Sequence, residues 1–339
     1  MKLHYIAAAA AALVALACAA APAHADDPFL LKFAYPAAPS GWVIDKGLNP
    51  WVKRVEAATD GKVEIRIYPG NAISNFRNVY DRLLNGVAEF GFGTFGTIED
   101  QFPKSSVAGL PFLADTSAEA GLALWRLYAS GVTADEYAKV KPIALFGFGA
   151  TGLHLTKPVT KLEDLQGMRI FANGRSVARL LTLIGAVPIT STSGELYQGL
   201  SRGLAAGTAL TWPGIETFKV AELTRHHLDM PFGKTGGYFF MNKDAFARLP
   251  EAAQRVVDRY SGETFTKIMG KGADEEDDIQ RDRVMAQPGH VHSALTAEEL
   301  ARMKRMVEPL TEEWVAATAD GAKVLAAYRA ELARIRGGS

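Results

Sequence analysis

Val63-Glu64-Ile65-Arg66-Ile67-Tyr68 alternates apolar and polar side chains without a slip, and the elements on either side decide which sheet it joins. A period of two marks a strand with one buried face. Upstream, Asp60-Gly61 ends a helix expected over about Asp45 to Thr59, where Leu48, Trp51, Val52 and Val55 fall at helical spacing. Before that helix, Leu30-Leu31-Lys32-Phe33-Ala34-Tyr35 reads as a strand, followed by the turn residues Pro36 to Gly41. Downstream, Pro69-Gly70-Asn71 turns the chain into a helix around Arg77 to Asn85, and Phe90-Gly91-Phe92-Gly93 is a short buried strand. The β-α-β-α-β order implies a mostly parallel sheet covered by helices.

A second series repeats the alternation. Ile143 to Phe148 and Leu153-His154-Leu155 read as strands, Leu162 to Gly167 as a turn, and Arg169-Ile170-Phe171-Ala172 as a strand. A helix over Ser176 to Ile184, a strand at Val187-Pro188-Ile189, a helix over Gly194 to Arg202 and a strand at Ala209 to Trp212 follow. The tail is helical over Glu298 to Val307, Thr311 to Ala319 and Ala322 to Arg336. Two α/β units in tandem are expected, joined by crossover strands because no low-complexity linker separates them. Open parallel sheets bind ligands at the carboxyl ends of their strands, so two facing sheets make a cleft.

Composition narrows the setting. Lys2, an apolar run from Ile6 to Ala21 and Ala23-His24-Ala25 have the layout of a secretory signal peptide cut after Ala25. The single cysteine, Cys18, lies inside that segment, so the mature chain is expected to hold no disulfide or thiolate metal site. Lysine plus arginine equals aspartate plus glutamate at 37 each, which points to neither nucleic acid nor a charged membrane surface as partner. The apolar run is shorter than the roughly 20 residues a spanning helix needs, and no second segment reaches that length.

Several motifs suggest chemistry and fail on context. Gly91-Phe92-Gly93-Thr94-Phe95-Gly96 and Gly147-Phe148-Gly149-Ala150-Thr151-Gly152 match the dinucleotide fingerprint. Neither opens an apolar helix that could hold a pyrophosphate: the first runs into a polar stretch with Glu99, Asp100 and Pro103, the second into a strand. The glycines are expected instead to let a ligand approach two strand ends. His226-His227 are adjacent and, on a helix, would point about 100 degrees apart, while His290 and His292 sit beside Pro288-Gly289 in an expected loop; a packing or surface role is expected, not a metal site. The acidic run Asp274 to Asp278 lacks calcium-loop spacing and reads as a solvated helix face. No catalytic constellation and no cofactor site is expected, and an NAD-dependent enzyme is the disfavoured alternative.

The segments taken together resemble a family. Trp51 to Thr59 with Gly61-Lys62-Val63 and Tyr68-Pro69-Gly70, then Tyr80-Asp81 to Glu89, Gly109 to Leu113, Leu162 to Met168, Ile184 to Pro188 and Glu195 to Gly203, are similar to DctP-type solute-binding proteins of TRAP transporters, in order and spacing. The resemblance implies a two-lobed α/β periplasmic binding protein fold with the cleft between lobes, connecting strands and a long helix. It implies residues 26–150 with about 237–276 as the first lobe, and 151–236 with about 277–339 as the second. It implies a small organic acid as ligand and TRAP permease subunits as partners; a sensor or an ATP-driven importer is the alternative partner.

The family's usual carboxylate clamp is an arginine where this chain has Phe171. Arg175 is the expected replacement, with Arg169 as second candidate, since a guanidinium fork matches a carboxylate. Phe171, Trp42, Phe92, Phe148, Trp212 and Tyr238 at expected strand ends suggest a monocarboxylate with an apolar or aromatic body. Thr94, Thr151, Asn173 and Thr211 are candidates for hydrogen bonds to its polar end.

Overall fold

The alternating strand β2 (Val63–Pro69) lies at the edge of a sheet, paired in parallel with β1 (Phe29–Tyr35) from Phe29 opposite Val63 to Tyr35 opposite Pro69. These features come from a computed structural model that describes residues 28–149, 151–172, 174–190 and 195–338. The expected signal segment with Cys18, the candidate Asn173 and the stretch Ser191 to Gly194 lie outside the described residues.

Five strands form the first sheet, in the order β2-β1-β3-β10-β4, with β3 at Phe90–Thr94, β4 at Val140–Gly147 and β10 at Gly236–Asn242. The second sheet runs β11-β9-β5-β8-β6-β7, from β5 (Thr151–Leu155), β6 (Arg169–Ala172), β7 (Val187–Thr190), β8 (Gly207–Thr211), β9 (His226–Asp229) and β11 (Val291–Ala294). Each is mixed. β10 inserts antiparallel between β3 and β4, and β5 lies antiparallel to β8 and β9. Both strands directly follow a passage of the chain from one sheet to the other.

Helices cover the sheets. α1 (Asn49–Ala58), α2 (Val79–Leu84) and α3 (Ser117–Ala129) flank the first sheet, and the single helix expected from about Asp45 is divided, its first part being a π-turn over Val43–Leu48. α4 (Arg175–Leu183), α5 (Leu196–Ser201) and α6 (Trp212–Thr217) flank the second. After α7 (Lys243–Ala247) and α8 (Glu251–Tyr260), the 23-residue α9 (Glu263–Met285) packs Phe265 and Met269 into the first core and Val284 into the second lobe. The acidic run of α9 is not a solvated face throughout. Asp274 accepts hydrogen bonds from the amides of Ser117 (2.7 Å) and Ala118 (3.0 Å), capping α3 where those groups have no partner within the helix.

Two expected tail helices are one. α10 (Ala297–Ala317) continues through Pro309, burying Met303, Val307 and Leu310 against the second sheet, while Trp314 reaches the first lobe. The final helix α11 (Gly321–Gly337) was expected with the second lobe. Its stripe Val324, Leu325, Tyr328 and Leu332 packs instead into the first lobe's core with Tyr137 and Phe240.

The loop at Leu110–Leu113, between β3 and α3 of the first lobe, touches the second lobe through one residue of unusual backbone. Phe112 has φ +60°, its ring packs against the second core, and Leu110 on the near side is buried in the first. A bulky residue in the left-handed region is rare and costs free energy.

Candidate functional site

A cavity of about 630 Å³ opens between the two sheets, within the range of small-molecule sites. The first lobe supplies an aromatic wall of Tyr35, Trp42, Phe76, Phe92, Phe95 and Phe148. These rings hold one another: Tyr35 stacks on Phe92 at 5.0 Å, Phe76 meets Phe92 edge-on at 5.7 Å, and Trp42 meets Phe148 edge-on at 6.1 Å. Such offset and edge contacts fix ring planes without polar partners. The second lobe supplies Phe218 and Phe232 together with shorter side chains. Thr151 and Thr211 are register partners across β5 and β8 and both line the cavity, with Leu210, Pro213 and the first turn of α4 beside them. Thr211 Oγ accepts from the Gly214 amide as the cap of α6, which leaves its hydroxyl proton free to donate.

Of the twelve site residues expected from sequence, Trp42, Phe92, Thr94, Phe148, Thr151 and Thr211 line the cavity. Five others do not, and Asn173 is not described. Phe171 is 3% exposed in a core with Leu196, Leu200 and Ile215, its ring filling the space a side chain at Gly199 would need. Trp212, the first residue of α6, is 2% exposed in the same core. Tyr238 is wholly buried, stacked on Phe240 at 4.0 Å. Arg169 is exposed and donates to the Gly203 carbonyl at the far end of β6. Arg175 turns outward, 72% exposed, and spans the lobes: its Nη2 lies 2.6 Å from Asp100 and its Nε 3.6 Å from Glu99. One glycine of the first motif does a different job from the one expected, whereas Gly96 of the same motif lines the cavity. A Cβ at Gly93 would lie 2.1 Å from the Tyr238 hydroxyl, so it is that ring, not a ligand, that requires glycine.

Sequence reasoning missed Phe76, Phe232, Ser106, Ser176 and Glu99 as lining residues. Glu99 had a signal, because it is an acid just past the carboxyl end of a central strand. Among the described lining residues it is the only carboxylate, and no lysine, arginine or histidine lines the cavity. Burial pushes its carboxyl up, against the lowering pull of Arg175.

Behind β8 lies a string of buried histidines that sequence reasoning dismissed. His154 Nε2 is 3.1 Å from the Leu210 carbonyl, and its Nδ1 is 2.8 Å from His227 Nδ1. His227 Nε2 is 2.8 Å from His290 Nδ1, whose Nε2 is 2.7 Å from Arg225 Nη1. A carbonyl only accepts and a guanidinium only donates, so every proton in the string is placed. His154 donates to Leu210, His227 to His154, His290 to His227 and Arg225 to His290, with three neutral imidazoles. Burial, above all, lowers His154 to about 4 and His227 to about 2, and lowers His290 as well. His226 and His227 sit on β9, not on a helix, and His290 is buried beside them.

Residues 34–318 match the family described as bacterial extracellular solute-binding protein, family 7, or DctP. The chain belongs to the DctP family. Its relatives include the C4-dicarboxylate-binding periplasmic protein DctP of Rhodobacter capsulatus, 24% identical over 91% of this chain and 92% of that one. A TRAP solute-binding protein from Rhodoferax ferrireducens, solved with copurified benzoate, superposes with a TM-score of 0.84 at 25% identity, covering 90% of this chain and 98% of that one. One from Bordetella bronchiseptica, solved with bound mandelate, gives 0.82 at 26% identity, covering 91% of this chain and 100% of that one. DctP proteins are solute receptors and not enzymes, which removes the dinucleotide alternative. As a DctP protein the chain has the two-lobed binding fold. Among its described residues no helix is long and apolar enough to cross a membrane.

Proposed function

We propose that this DctP protein is the periplasmic receptor of a TRAP transporter, that residues 1–25 are its cleaved signal, and that it delivers an aromatic monocarboxylate to the membrane permease subunits. The observation that carries the ligand class is the aromatic wall of the first lobe facing the threonine hydroxyls of the second across one cavity. The ring of an acid packs on Trp42, Phe92 and Phe148. Its carboxylate is taken by neutral donors, Thr94, Thr151 and Thr211, because no cation stands among the described lining residues. The benzoate and mandelate of the two solved relatives support this class of ligand. Arg175 is assigned to the rim, where it ties the lobes through Asp100 and Glu99. A ligand touching both lobes binds the closed form better than the open one and shifts the population toward it.

The test is a thermal-shift panel on protein unfolded and refolded to remove carried-over ligand. Benzoate-type acids are expected to raise the melting temperature, since saturation at a hundredfold excess over Kd adds about 2.7 kcal/mol. Succinate is expected to leave it unchanged. A panel in which no aromatic acid shifts the transition refutes the reading.

A further inference from the structure

We propose that Glu99 sets the specificity of this cleft: it accepts a hydrogen bond from a donor substituent on the ligand's ring and shuts out acids that carry a second carboxylate. The inference rests on the aromatic-acid reading and goes beyond it.

Glu99 is placed by the loop after β3, so its carboxyl comes from the first lobe and stands at the wall where the second lobe's α4 begins. Its side chain is 19% exposed, which leaves it partly withdrawn from water. A carboxylate offers about four lone-pair positions. Among the described residues the side-chain contacts it makes are long: Ser176 Oγ is 3.5 Å from Oε1, and Arg175 Nε is 3.6 Å from Oε2. Arg175 gives its short contact to Asp100 at 2.6 Å, so one cation is shared between two carboxylates and the group keeps a net negative charge. Capacity for a short, charge-assisted bond therefore remains on the cavity side. A ring hydroxyl or amine meets an acceptor there. A second carboxylate meets like charge in a half-buried place, with no lining cation among the described residues to offset it. The dicarboxylate named for the Rhodobacter capsulatus relative is thus the type of ligand that Glu99 excludes here.

The experiment is titration calorimetry of refolded wild type and Glu99→Gln with benzoate, 3-hydroxybenzoate and benzene-1,3-dicarboxylate. Glutamine keeps the shape and removes the charge, and Glu99→Ala is the second variant in case the amide finds a new partner. Wild type is expected to prefer 3-hydroxybenzoate over benzoate by at least about tenfold, as befits a hydrogen bond to a charged group. It is expected to bind the dicarboxylate at least about tenfold more weakly than benzoate. Both ratios should fall toward one in both variants while benzoate affinity itself stays within about threefold. Unchanged ratios alongside normal benzoate binding overturn the role of Glu99 and leave the aromatic-acid reading standing. A wild type that binds none of the three overturns both.

Discussion

Acidification from pH 8 to pH 5 is expected to remove about 2 kcal/mol of folding stability through His154 alone. The ring is 1% exposed, donates to the Leu210 carbonyl and accepts from His227. Its pKa falls from 6.5 to about 4 on folding, chiefly by burial. A group whose folded pKa is depressed contributes its full stability above the unfolded value and loses it as pH falls toward the folded one. Here the loss begins near pH 6.5 and continues to about pH 4. At pH 5 the unfolded imidazole is almost fully protonated and the folded one is about nine-tenths neutral. The slope from this one group is then about 1.2 kcal/mol per pH unit. His227 and His290 are lowered too, so the measured slope should exceed that figure. Urea denaturation at half-unit steps from pH 8 to pH 5 gives the slope. Side-chain nitrogen spectra should show His154 protonated on Nε2, and His227 and His290 on Nδ1, throughout that range. Stability that stays flat between pH 7 and pH 5, or a folded His154 that titrates near 6.5, refutes the neutral string.

Other substitutions probe separate parts of the argument. Gly121→Ala would put a Cβ 2.6 Å from the Phe146 Cα, a backbone atom that cannot give way, and should cost about 1–3 kcal/mol in urea unfolding. Asp274→Ala removes the acceptor for the first amides of α3 and should cost about 1–2 kcal/mol, with Asp274→Asn costing less because one oxygen remains. Arg175→Ala should change stability by less than about 1 kcal/mol, since its ion pair with Asp100 is exposed. Calorimetry should find aromatic-acid affinity in that variant within about fivefold of wild type, where loss of a direct carboxylate clamp would cost more than tenfold. Phe148→Ala should weaken aromatic-acid binding by about 0.5–1.5 kcal/mol beyond the loss of buried area, read by the same calorimetry.

The sequence made the order of elements legible because strand and helix periods alternate cleanly from Leu30 to Trp212. What it could not settle was which face of a strand end meets the cleft. Thr211 ends β8 and Trp212 opens α6, and only their three-dimensional placement says that the threonine faces the cavity and the indole the core. The same ambiguity misassigned Phe171, which fills the space over Gly199, and Tyr238, which lies over Gly93. Long-range partnerships were invisible for another reason. His154, His227 and His290 are separated by 73 and 63 residues, and neither spacing nor composition brings them together. Pro309 illustrates a local rule overridden by packing: a proline interrupts helix bonding, yet buried residues on both sides of it hold α10 as one helix.

Phe112 bears on how this first-lobe loop docks on the second lobe. Its left-handed backbone costs about 1–3 kcal/mol, which the ring recovers by docking into the second lobe. Glycine would relax the main chain and forfeit the docking, whereas a β-branched residue would worsen the torsion and fit the socket poorly. This docked loop is therefore a sprung pin between the two halves, and position 112 is one place at which to loosen or stiffen their swing.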